Sequence, residues 1–97
     1  MMNFTGTRKA LHEALLSFIF TAIRPGSTTA RHREWNAVVT GYGERLVPAL
    51  KDIAHQAEQC RVMQAQANMG GAPIDNGKFD HHLIAAKSLA WAPTEDW

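Results

Sequence analysis

The 97-residue sequence contains a single cysteine, Cys60, which excludes an intramolecular disulfide framework and fits a reducing, cytoplasmic setting. It has no stretch approaching the roughly 20 apolar residues that span a bilayer, so neither a transmembrane helix nor a membrane partner is expected. It also has little excess charge: ten Lys and Arg against nine Asp and Glu leave a formal +1, too small to name a partner by itself. No internal repeat or low-complexity tract occurs. Arg8 and Lys9 ahead of the apolar run Leu15–Ile23, with small residues at Ser27–Ala30, roughly imitate a secretory signal. His12 and Glu13 interrupt the approach and Ser17 and Thr21 dilute the run, so export is not expected. What is present, 20% charged and 45% hydrophobic residues, is ordinary for a folded globular chain. The length sets a single domain over residues 1–97, one that buries roughly two-thirds of the surface its unfolded form exposes.

The pattern is helical throughout, and predicts an all-α bundle of about three helices. A first helix is expected over residues 7–23, capped by Thr5 or Thr7 and stopped by Arg24-Pro25-Gly26. Leu11, Leu15, Phe18 and Ala22 form its stripe. Leu16, Ile19, Phe20 and Ile23 widen that stripe beyond half the circumference, as suits a central core helix or one that also meets another chain.

Trp35, Val39, Tyr42, Leu46, Ala49, Ile53, Ala57 and Cys60 recur at steps of three or four and keep one helical phase. Gly41, Gly43 and Pro48 lie inside that span. An interior glycine costs a helix about 1 kcal/mol and a proline about 3. The unbroken phase favours one long helix over residues 29–69, kinked near Gly43–Pro48, above two helices separated by a Gly-Tyr-Gly loop. Its distal end, Gln56–Asn68, carries few large apolar residues and calls for cover from the C-terminal helix or another chain. A third helix is expected over residues 78–91, with Phe79, Leu83, Ala86 and Ala90 on one face, Ile84 and Leu89 beside it, and Trp91 packed at its end. Pro93 stops it, leaving an acidic tail over 92–97 that ends in Trp97.

Few residues are spaced for chemistry. His81 and His82 are adjacent, so on a helix their side chains diverge by about 100° and do not share an ion as a four-residue spacing allows. His12, His32 and His55 are scattered, and one cysteine cannot build a thiolate zinc site. No metal and no cofactor is expected. The sequence has neither a strand–turn–helix nucleophile motif nor a glycine-rich phosphate loop, and the expectation is a protein that is not an enzyme.

Binding accounts for more of the features. Residues 1–40 carry Arg8, Lys9, Arg24, Arg31 and Arg33 against Glu13 and Glu34. Arg31, His32 and Arg33 fall in the first turn of a helix, where positive charge opposes the macrodipole. Arg24, Arg31, Arg33 and the terminal Trp97 are the candidate partner-binding residues, of types enriched among interface hot spots. The surplus apolar surface of the first helix and of the long helix points the same way, to a protein partner or to self-association. A nucleic-acid partner engaged by the Arg24–Arg33 cluster is the alternative, with Trp35 assigned to the core.

The run Glu44-Arg45-Leu46-Val47-Pro48-Ala49-Leu50-Lys51-Asp52-Ile53, followed by Gln56-Ala57-Glu58, resembles segments of uncharacterised small bacteriophage proteins in which a proline precedes an amphipathic helix. The resemblance covers about 15 residues. It implies a protein that occupies a surface of a host complex, as an inhibitor or adaptor directed at defence systems such as CRISPR effectors.

Overall fold

The computed structural model describes residues 8–71 and 73–95. Four α-helices follow one another: α1 (Arg8–Ala22), α2 (Thr28–Tyr42), α3 (Val47–Asn68) and α4 (Asn76–Trp91), with short 3-10 turns at Glu44–Leu46 and Ala92–Thr94. No strand occurs among the described residues. The molecule is the helical bundle that the periodicity predicts, built from four helices where three were expected.

The additional helix comes from a break in the expected 29–69 element. Gly43 takes φ +110° and ψ 155°, a backbone conformation that a residue with a Cβ rarely adopts. Its N–H still donates to the Val39 carbonyl oxygen at 2.9 Å, closing the end of α2. Pro48 lies in the first turn of α3, where the missing N–H has no partner to lose and the fixed φ suits the helix. It therefore begins a helix rather than kinking one. The apolar phase survives the break because both helices pack on α1. Val38, Leu46, Leu50 and Ile53 join Leu11, Leu15, Phe18 and Ile19 in one core, completed by Ala86 and Ala90 of α4.

α1 is the central element, touching all three other helices and the Ala92–Thr94 turn. It ends at the Pro25-Gly26 turn, and three carbonyls there are satisfied from outside the helix. Ser27 Oγ donates to the carbonyl oxygens of Arg24 at 2.6 Å and Thr21 at 2.8 Å. Gln64 Nε2 donates to that of Ile23 at 2.6 Å, tying the far end of α3 to the end of α1. Ser27 occupies the N-cap position of α2, yet its hydroxyl serves α1 and makes no side-chain cap to α2. The cap candidates Thr5 and Thr7 lie outside the described residues.

α4 supplies the cover that the Gln- and Ala-rich end of α3 requires. Asp75 caps it, its carboxylate accepting the Lys78 N–H at 3.1 Å, so α4 starts two residues earlier than expected. Across the α3–α4 seam Cys60 Sγ donates to the Phe79 carbonyl oxygen at 3.6 Å, and His82 Nδ1 lies 2.8 Å from Gln56 Oε1. Ala57 and Cys60 are fully buried as a result. The α-helix ends at Trp91, as expected from Pro93, and residues 92–94 follow as a 3-10 turn whose Thr94 is buried, with its hydroxyl donating to the Trp91 carbonyl oxygen at 2.6 Å. Of the expected acidic tail, Asp96 and Trp97 lie outside the described residues.

Candidate binding surfaces

Phe18 and Phe20 are two residues apart on α1 and therefore point to opposite sides of it, about 200° apart. Phe18 is buried and meets Trp35 of α2 edge to face, with ring centroids 5.9 Å apart at 67°. Beside this pair a cleft of about 400 Å³ opens between α1, α2 and α3, with Phe18, Ala22, Trp35 and Ala54 as its apolar wall and Arg31, His32 and Asn36 at its polar edge. Trp35, expected in the core, is partly buried and stands in this wall. Arg31 and Trp35 share a face of α2 by their four-residue spacing, as do His32 and Asn36.

Arg31 is the only one of the three candidate arginines among the residues lining the cleft. Its Nη2 donates to Thr28 Oγ1 at 2.9 Å and its Nη1 lies 3.8 Å from Glu58 Oε1. Its Nε is buried and has no hydrogen-bond partner among the described residues. Glu58 is held more firmly by Arg61, through the Arg61 Nε and through Nη2 at 2.8 Å from Oε2. The Arg61 hydrogen bonds, aided by the charges of Arg61 and Arg31 and opposed by partial burial, hold the Glu58 carboxyl below the usual glutamate range. Arg24 and Arg33 are exposed, and neither reaches the cleft. The basic cluster is thus divided, and its most buried arginine faces an acidic partner within the chain. The three-residue spacing of Glu58 and Arg61 signals their own pair, whereas the Arg31–Glu58 approach across 27 positions has no local signal in the sequence.

On the other side of α1 three large apolar side chains reach solvent. Phe20 is 45% exposed, Ile84 63% and Trp91 53%. Trp91 stacks on the His12 ring with centroids 3.8 Å apart and planes 23° apart, and Lys87 Nζ sits 5.6 Å from the centroid of the Phe20 ring. Trp91 is therefore half in solvent rather than packed at the end of its helix. Ile84 is outside the packed face because Leu83, one residue earlier and about 100° away, is the side chain that turns inward toward the core.

Cys60 is buried, and that burial, with Asp80 nearby, pushes its thiol up, away from the thiolate that reacts. The His81 and His82 rings meet edge to face at 5.3 Å, and among the described residues no group of three His, Cys, Asp or Glu side chains is placed to hold a metal ion. No described helix is long and apolar enough to cross a membrane. Comparison with protein families, curated proteins and solved structures found no match for this chain.

Proposed function

We propose that this chain is a non-enzymatic protein-binding domain that docks through the surface shared by α1 and α4. The observation that carries the reading is the apolar area left in solvent there by Phe20, Ile84 and Trp91. Surface of that kind stabilises an association when it is covered and gains nothing from water. The resemblance of the 44–58 segment to small bacteriophage proteins supports an inhibitor or adaptor that occupies a larger host assembly. Arg31 and His32 at the cleft, with Arg24 and Arg33 exposed nearby in sequence, would give such a domain a second, polar contact for an acidic segment.

The test is capture from a bacterial lysate by the tagged full chain, with and without nuclease, comparing wild type with Ile84→Glu, Trp91→Ala and the double reversal Arg31→Glu/Arg33→Glu. A stoichiometric protein that survives nuclease and is lost with Ile84→Glu supports the reading. Recovery of nucleic acid alone, lost with the arginine reversals, moves the function to nucleic-acid binding. In that case affinity falls with salt by a log–log slope of about −0.9 per phosphate contacted on duplex DNA.

A further inference from the structure

We infer that the occupant of the exposed α4 face is a second copy of this chain, paired antiparallel about a two-fold axis at Ile84. The inference rests on the protein-binding reading and names the partner. Gly77, Ile84 and Trp91 are seven residues apart in turn, and a heptad on a straight helix drifts by only about 20°. The three therefore make one line along the outer side of α4. All three are exposed. In a two-fold antiparallel pair, a residue a given number of positions before Ile84 faces the residue the same number after it in the other copy. Trp91 then lies over Gly77 of the second copy, Ile84 meets Ile84, and the Gly77–Trp91 contact repeats.

Gly77 lies in the first turn of α4 and does not have the positive φ of Gly26, Gly43 and Gly70. A Cβ built on it would crowd the capping Asp75 Oδ1 at 3.4 Å, so glycine leaves room for that cap. It also leaves a bare backbone on the outer side of the helix on which a large ring can rest. Trp91, with one face already against His12, offers such a ring.

The flanks of the line agree with the same symmetry. Asp80 and Lys87 lie together on one flank, and His81 and Ser88 on the other. A two-fold axis perpendicular to the helices keeps each residue on its own flank while reversing the direction of the chain. Asp80 is thereby brought beside Lys87 of the second copy, twice, and His81 beside Ser88. No acidic residue meets another along the seam. Phe20, beneath Lys87, lies on the charged flank and widens the interface. That widening matters, because α4 with its 16 residues is only about 24 Å long and a stable interface buries about 1,200–2,000 Å² in total.

Sedimentation equilibrium of the full chain across a concentration series, with far-UV circular dichroism on every variant, tests the pairing. The wild type is expected at twice the chain mass at the high end of the series. Gly77→Leu fills the seat of Trp91; it should keep the helical signal and raise the dimer dissociation constant at least tenfold. Ile84→Glu should be monomeric. Asp80→Lys and Lys87→Asp should each weaken the dimer, and the double variant should restore it. A monomeric wild type, a Gly77→Leu dimer as tight as wild type, or a charge swap without rescue overturns the pairing. If the wild type is monomeric yet Ile84→Glu loses a captured protein, the second copy is refuted and the protein-binding reading stands. If Ile84→Glu changes neither mass nor capture, both fail.

Discussion

The two sides of α1 use the same residue types to opposite ends. On the α2 side an aromatic pair, Phe18 and Trp35, is built into the wall of a cleft, and the charged groups around it are engaged by Thr28, Glu58 and Arg61. On the α4 side Phe20 and Trp91 remain substantially in solvent, with a lysine and a histidine ring as their neighbours. The difference is that three helices line the first side, whereas on the second α4 presents its outer face with no further helix among the described residues to cover it. Aromatic content alone therefore says little about stability here; position around α1 decides whether a ring supports the fold or is left for a partner.

The sharpest way to break the comparison is to make the same substitution on each side. Phe18→Ala removes a side chain that is 2% exposed and should cost about 3–5 kcal/mol, the range for a buried phenylalanine. Phe20→Ala, two residues along, should cost only about 0.5 kcal/mol, as surface substitutions do. Urea unfolding of both variants, monitored by circular dichroism at a concentration where association is held constant, gives the two values. Equal losses would mean that the α4 side is as structural as the cleft side.

Gly43 sets the angle at which α2 and α3 form the two walls of the cleft. Gly43→Ala should cost about 1–3 kcal/mol, the range for a residue held in a rarely populated backbone region. Space is not the reason, since the nearest side-chain atom to an added Cβ, Arg45 Cγ, is 4.0 Å away. A thermal melt that fell no further than that of an exposed helix substitution would show that α2 and α3 can join through an ordinary backbone. Asp75→Ala, which removes the cap of α4, should cost about 1 kcal/mol. Because it acts on the helix that carries Ile84 and Trp91, hydrogen exchange should rise first in the opening turn of α4 while the amides of α2 keep their protection.

Much of this arrangement was legible in the residues, and where it was not the cause is physical. The stripe from Trp35 to Cys60 does face the interior: Leu46, Ile53, Ala57 and Cys60 are buried. Yet a phase preserved across a break looks the same as a phase preserved along a continuous helix, so periodicity favours a kink near Gly43 over the boundary that the structure has there. Pro48 was ambiguous for the same reason, because proline suits a first turn as well as it marks a bend. The candidate site was less legible. Arg31 and Trp35 fall together by their spacing, but Glu58, 27 positions from Arg31, becomes its partner only when α2 and α3 both pack on α1. Periodicity puts Ile84 beside the apolar face and Trp91 in the packing at the helix end, because hydrophobicity reports which residues seek cover and not whether the chain has a helix to provide it.

The smallest effect expected on the cleft side is also the one that separates charge from packing. In the folded chain the Arg61 hydrogen bonds hold the Glu58 carboxyl below its ordinary value, whereas unfolding returns it to the usual glutamate range near 4.5. The folded state then binds fewer protons across that window, so the contribution of Glu58 is fully present above about pH 4.5 and is lost as pH falls through the depressed folded-state value. Because the Glu58 side chain is 38% exposed, solvent screening limits this contribution to under about 1 kcal/mol. Unfolding free energies of wild type and Glu58→Gln should accordingly differ by that small amount at pH 7, converge as pH falls through the depressed folded-state value, and converge at pH 7 in high salt. A difference independent of pH and salt would mean that Glu58 acts through the shape of the α3 surface. It would also mean that Arg31 is held at the cleft edge without the help of its charge, leaving the two sides of α1 distinguished by packing alone.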